Sequence, residues 1–196
     1  TTNETNQGSS DFGPVGWRRL GVDLDGDGTD IYFGQKVSLN YDGDIVAIGG
    51  SRDSGSSVYR AGIVAIYQYV SNSWSQVGNN IYGTGENNYF GGSSLSLSND
   101  GTIVASGAVG NNGGAGQVRV FENISGTWTQ MGSDLNGDDG SDYFGHSISL
   151  SNDGTTMAIG VNQSDGLNNT SSNSGSVYVY NYNGSDWDNT KIFHGE

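Results

Sequence analysis

Apolar residues alternate with small or polar ones in short runs along most of the chain, as in Val37-Ser38-Leu39 and Ile148-Ser149-Leu150. That period of two predicts strands with one buried face, and there is no run of Ala, Leu, Glu and Lys at helical spacing. The runs recur in a fixed order. "YFGQKVSLNYDG", "YFGGSSLSLSNDG" and "YFGHSISLSNDG" are followed by "DIVAIGG", "TIVASGA" and "TTMAIGV", with Asp-Gly predicting the hairpin turn between the two strands. A third strand follows, "GIVAIY", "GQVRVF" and "GSVYVY".

Tryptophan marks the same period. Trp17, Trp74, Trp128 and Trp187 are 57, 54 and 59 residues apart, and the first three open "WRRLGVDLDG", "WSQVGNNIYG" and "WTQMGSDLNG". From Gly62, Gly116 and Gly175 to the next tryptophan is 12 residues each time, so the third strand, its turn and the tryptophan strand have fixed geometry. Length varies at 51–61, 108–115 and 161–174, which reads as surface loops. The chain divides into a polar segment 1–16, repeats 17–73, 74–127 and 128–186, and the start of a fourth at 187–196. Four short antiparallel strands per repeat predict an all-β protein of β-propeller-type blades, with an open β solenoid as the alternative. Trp17, Trp74, Trp128 and Trp187, with Phe33, Gly34, Phe90, Gly91, Phe144 and Gly145, are then structural: the aromatics fill space between sheets and glycine permits close approach.

Composition supports that class. Thirty-four glycines stand against one proline, with 11 tyrosines and no cysteine. Twenty-one acidic and seven basic residues give a net charge of −14, which repels nucleic acid phosphates and anionic membranes and makes cations the expected charged partners. No apolar stretch approaches 18 residues and the start has no signal-peptide pattern, so the chain as given is expected neither to insert in a membrane nor to carry its own export address. An acidic, Asn/Gly/Ser-rich β protein points to an extracellular or cell-surface location.

Phe-Gly, an alternating strand, Asp-Gly, "VAIG" and "GxVxVY", as in "YFGHSISLSNDGTTMAIG" and "GSVYVY", resemble FG-GAP repeats. With Trp-x-Gln-x-Gly, the whole phrase resembles the FG-GAP-like repeats of large secreted or surface proteins of marine bacteria and algae, over residues 17 to 186. The resemblance implies propeller blades, as in the integrin α-subunit head, with roles in extracellular recognition and, in some, calcium bound between strands. This sequence departs from the family's calcium loop, D-x-D-x-D-G-x-x-D. Asp42, Asp100 and Asp153 keep the fifth position, but Ser38, Ser96 and Ser149 stand at the first and Val46, Val104 and Met157 at the ninth. One carboxylate falls short of the six to eight oxygens calcium takes, so Asp-Gly is read as a turn.

Two other acidic stretches are candidates for Ca2+. "DLDGDGTD" places Asp23, Asp25 and Asp27 at alternate positions with Asp30 beyond, and "DLNGDDGSD" offers Asp134, Asn136, Asp138 and Asp142. Repeat two has Tyr82 and Thr84 instead, so the blade forms without the ion. The twelfth position from Asp23 is Gly34, which excludes an EF-hand. The competing reading is an exposed acidic turn.

Enzymatic chemistry has little to work with: the histidines are His146 and His194, and neither falls in a recognisable constellation. The expected function is non-enzymatic. It is either a structural or adhesive building block whose partners are copies of itself or further blades of a longer chain, or a calcium-dependent module recognising a glycan or surface protein through the variable loops. Sequons at Asn3, Asn123, Asn162, Asn168, Asn169 and Asn183 predict exposed N-glycosylation sites, Asn123 and Asn183 in equivalent turns. Three repeats cannot close a conventional ring, so both end faces are expected to be apolar and in need of cover, with Trp17, Trp187, Val118 and Val179 among the residues concerned and Phe12 and Val15 as anchors for an N-terminal strand.

Overall fold

Each alternating run becomes a strand, and the Asp-Gly pairs at 42–43, 100–101 and 153–154 become reversals. A computed structural model describes residues 19–26, 31–52, 58–165 and 173–195, which form three antiparallel sheets. Blade 1 runs β1 (Lys36–Leu39), β2 (Ile45–Gly50), β3 (Ile63–Val70) and β4 (Ser73–Gln76) in that order, and β5 (Ile81–Tyr82) pairs with β3 beyond β4. Blade 2 repeats this with β6 (Leu95–Leu97), β7 (Ile103–Gly107), β8 (Gln117–Ile124), β9 (Thr127–Gln130) and β10 (Leu135–Asn136). Blade 3 has β11 (Phe144–Leu150), β12 (Thr156–Val161), β13 (Ser176–Tyr182) and an unbroken outer strand, β14 (Trp187–His194). The only helical element among the described residues, α1 (Asn111–Gly114), contains Asn112 at φ 48 and Gly113 at φ 71, and is a kinked turn rather than a continuous helix. Gly43, Gly101 and Gly154 take φ of 72, 74 and 71 in the three Asp-Gly turns, the left-handed region that glycine enters without penalty.

The sequence period and the blade are out of phase by one strand. The tryptophan that opens a sequence repeat lies on the strand that closes the preceding sheet: Trp74 opposes Tyr69, Trp128 opposes Asn123 and Trp187 opposes Tyr182. The stretch 187–196 begins a fourth repeat by sequence, but its residues Trp187–His194 supply the outermost strand of blade 3. Trp17, Phe12 and Val15 lie outside the described residues.

Two apolar cores hold the blades together. Ala47, Val64, Ile66 and Ile81 of blade 1 pack on Phe90, Leu97, Val104 and Phe121 of blade 2. Ala105, Val118, Val120 and Met131 of blade 2 pack on Phe144, Met157, Ile159 and Trp187 of blade 3. Each blade thus has a leading face towards its predecessor and a trailing face towards its successor. The arc does not close into a ring, and its bare faces differ from those expected. Val118 and Trp187 are buried, because the tryptophan reaches back into the seam behind it, and Val179 is half-buried. The exposed residues are Val37 (62%) and Leu39 (58%) on the leading face of blade 1, and Val177 (41%) and Phe193 (55%) on blade 3. Val37 and Leu39 do alternate as one face of a strand, but no sheet among the described residues covers them. Their counterparts, Leu95 and Leu97 or Ile148 and Leu150, pack into a seam.

Candidate functional site

The repeated residues act at the seams. The indole N–H of Trp74 donates to the Leu20 carbonyl, that of Trp128 to Val77 and that of Trp187 to Met131, each at 2.8 Å. Every acceptor is the third residue after the preceding tryptophan, so one strand both inserts a tryptophan backwards and presents a carbonyl forwards. The next residue is Gly21, Gly78 or Gly132, at φ of 73, 70 and 77. A Cβ there would stand 3.0, 3.0 and 2.8 Å from Cδ1 of the incoming tryptophan. Glycine is required twice over, for the backbone and for the notch.

Phe-Gly is the inner counterpart of this latch. Phe90 bridges in parallel to Gly62, and Phe144 to Gly116, with both rings buried. Phe33, with no blade before it among the described residues, is half-buried and Gly34 is exposed. Ser38 and Ser96, at the first position of the family's calcium loop, accept backbone N–H bonds from Leu97 and Leu150 of the next blade, both at 3.1 Å. Asp100 and Asp153 cap their own turns. Burial pushes Asp100 up, but hydrogen bonds from Ser98 and Thr102 together outweigh it and hold the carboxyl below the usual range. Asp153 is held down by the Ser151 hydroxyl and the Thr155 N–H.

The acidic stretches do not assemble as their spacing implies. In the first, Asp23 pairs with Arg19 at 2.9 Å, Asp25 is also described, and Asp27 and Asp30 lie outside the described residues. In the second, Leu135–Asn136 is a strand, and the amide of Gln117 binds Asp134 at 3.1 Å and Asn136 at 2.9 Å. Asp134 also accepts from Gln130 at 2.8 Å. Asp138 and Asp142 belong to a separate lip with Asp139 and Asp165; burial, then these three neighbours, raise the Asp142 carboxyl above the ordinary range. Among the described residues no group of three or more His, Cys, Asp or Glu side chains is placed to hold a metal ion.

Of the sequon asparagines, Asn162 and Asn183 are exposed, whereas Asn3, Asn168 and Asn169 lie outside the described residues. Asn183 sits in the turn before β14, but Asn123 falls one place earlier in its own hairpin, half-buried within β8 opposite Trp128. Its side-chain oxygen accepts from Gly126 N–H at 2.7 Å, which ties the group to the turn. His146 is exposed. His194 lies in β14 with Nδ1 3.1 Å from the Ser176 hydroxyl, itself 2.6 Å from that of Ser164; both serines are buried.

Sequence reading passed over three arginines. Arg119, 5% exposed, lies against the edge-to-face pair Phe90 and Phe121, 4.8 and 4.9 Å from the ring centres, and both terminal nitrogens donate to the Tyr82 carbonyl. Burial lowers its pKa, with Asp134 opposing the shift. The signal was a charge in the slot occupied by Ala65 and Tyr178 in the other blades. Arg52 and Arg60 line a cleft of about 550 Å³ at the top of blades 1 and 2 with Tyr32, Phe33, Gln35 and Tyr89. Arg52 lies 4.6 Å from the Tyr32 ring centre and Arg60 4.8 Å from that of Tyr59.

The architecture is shared with known propellers. The Saccharomyces cerevisiae protein Sqt1 is 14% identical, with a TM-score of 0.54 over 86% of this chain and 38% of that one. The β-propeller domain of the Trilobed protease from Pyrococcus furiosus, described as having an open velcro topology, is 12% identical, with a TM-score of 0.50 over 84% of this chain and 43% of that one. The chain thus spans about two-fifths of either structure, and at such identity the likeness concerns the fold alone. No curated protein matches the sequence. The family model of the FG-GAP repeat matches residues 128–180, starting at the tryptophan from which the sequence period is counted. This chain is built of β-propeller blades and carries an FG-GAP repeat at residues 128–180.

Proposed function

We propose that this chain is a non-enzymatic, extracellular structural or adhesive module, one arc of a larger propeller or of a polymeric surface assembly. It is joined to its neighbour through the leading face of blade 1. The observation that carries this reading is the exposure of Val37 and Leu39, at positions where blades 2 and 3 are covered by the blade before them. Leu20 supports it: its carbonyl receives Trp74 as Val77 receives Trp128, so the outer-strand socket of a preceding blade is already in place. A face of this kind buries apolar area when a blade docks, at about 25 cal/mol per Å² removed from water.

Sedimentation velocity over a wide concentration range is the test. The wild-type chain is expected to self-associate, and Val37→Asp with Leu39→Asp to stay monomeric while keeping its melting temperature. A wild-type chain that remains monomeric at every concentration, with no longer parent chain carrying a blade before residue 19, would overturn the reading.

A further inference from the structure

Two of the chain's seven basic residues line one cleft, in a protein with 21 acidic ones. The single ion pair among the described residues is Arg19 with Asp23, so neither Arg52 nor Arg60 has a described carboxylate within salt-bridge distance. Their guanidinium groups rest on aromatic faces instead, and Nε of Arg60 is buried without a hydrogen-bond partner.

The two arginines are particular to blade 1. At the matching positions one blade on, the chain has Gly110 and Gly114, where a Cβ would stand 2.8 Å from the Tyr89 ring and 3.1 Å from the Tyr143 ring. There the backbone closes against the tyrosines; in blade 1 the larger arginines hold the space open. The positive φ of Tyr32, Arg60 and Tyr89, at 52, 51 and 56, belongs to the repeat, for it recurs at Tyr143 (59), Gly114 (99) and Asn173 (54). Backbone bonds fix the walls: Arg52 N–H donates to the Ile31 carbonyl and Tyr89 N–H to that of Arg60, each at 3.2 Å.

We infer that this cleft binds an acidic saccharide unit, a uronate or sulfated sugar, through Arg52 and Arg60. The planar guanidinium fork matches a carboxylate or sulfate in two-point contact. Tyr32, 52% exposed, leaves ring surface beyond Arg52 that suits the weakly positive C–H face of a sugar ring, while Gln35 and Ser51 offer neutral partners for its hydroxyls. A volume of about 550 Å³ lies within the range of small-ligand pockets. An acidic peptide would satisfy the arginines but make no such use of the rings. Phe33 and Gly34 line the cleft and also belong to the leading face of blade 1, but the test here reads ligand binding and not association.

Calorimetric titration of the whole chain with tetragalacturonate, maltotetraose and hexaglutamate decides it. Saturable binding of tetragalacturonate alone is expected, weakened at least tenfold in Arg52→Gln with Arg60→Gln, weakened less in Arg52→Lys, and unchanged in Lys191→Gln on blade 3. Melting curves of the variants show that they are folded. No binding of tetragalacturonate, equal binding of maltotetraose or of hexaglutamate, or full binding by the double variant each overturns the assignment.

Discussion

The trailing faces of blades 2 and 3 are built from matching positions, yet one lies in a seam and the other is bare. Ala105, Val118, Val120 and Leu135 of blade 2 correspond to Ala158, Val177, Val179 and Phe193 of blade 3; Val118 is fully buried and Val177 is 41% exposed. The apolar stripe is kept, but what surrounds it changes. Ile103 becomes Thr156, Met131 becomes Thr190, and the notch glycine Gly132 becomes Lys191. One residue fewer separates the tryptophan from the glycine that ends the strand, Trp187 to Gly195 against Trp128 to Gly137. Accordingly β14 runs unbroken where β9 and β10 are interrupted, and the Lys191 ammonium lies 5.6 Å from the Phe193 ring centre. A seam needs a glycine notch as well as apolar surface. Blade 3, with Lys191 at that position, offers no notch to a following tryptophan.

The comparison breaks most visibly at its aromatics. Phe144→Ala, in the seam, is expected to cost about 3–5 kcal/mol in urea unfolding, whereas Phe193→Ala on the bare face stays within about 0.5 kcal/mol. Equal losses would mean that Phe193 is covered in solution. Next in size is Gly132→Ala, expected to cost about 2–4 kcal/mol, from the left-handed backbone together with overlap on Trp187. Gly184→Ala serves as its control: φ is 98 there with nothing within 4 Å of the new Cβ, so the backbone cost of about 1–2 kcal/mol stands alone. Identical unfolding midpoints for the two variants would remove the notch from the account.

How far the chain could be read without coordinates follows from the range of each interaction. Alternation in "VSL" and "ISISL" and the Asp-Gly turns are local, and they gave strands and hairpins in the right places. Gly132 also looks local, an ordinary turn residue, but its reason is Trp187, 55 positions later. The same distance hid the phase of the blade, because nothing in "WDNTKIFHGE" states that it pairs backwards with β13 rather than opening a new sheet. Spacing misled in "DLNGDDGSD" because a two-residue strand and the side chain of Gln117 separate its halves. Arg52 and Arg60 belong to no repeat, and the absence of repetition was the one sign they gave.

A smaller effect sharpens the same seam. Trp187→Phe keeps the ring but strands the Met131 carbonyl, at an expected cost of about 1–2 kcal/mol. Trp74→Phe should cost less, since the Leu20 carbonyl it serves belongs to an exposed residue that water can reach. Guanidinium unfolding of both variants tests the order; a reversed order would mean that Leu20 is covered, as docking of a preceding blade would require.

The smallest effect is that of acid, and it separates the seam from the lip of blade 3. Asp186 accepts from the N–H groups of Ser133 and Trp187 and from the Ser133 hydroxyl, which hold its carboxyl below the usual range. Its contribution is present above the unfolded carboxylate pKa and is lost as pH falls through the lower folded value. Asp142 has the opposite sign. Its raised carboxyl binds a proton more readily in the folded state, so acidification first relieves the repulsion from Asp139, Asp165 and Asp138. Stability should therefore rise slightly as pH falls towards the ordinary carboxylate range, then fall as pH drops through and below it. Asp142→Asn is expected to flatten the rise and leave the fall, and Asp186→Asn to soften the fall and leave the rise, in urea midpoints taken at each pH. Loss of both features in either single variant would show that the seam and the lip titrate as one unit, contrary to their separation in the structure.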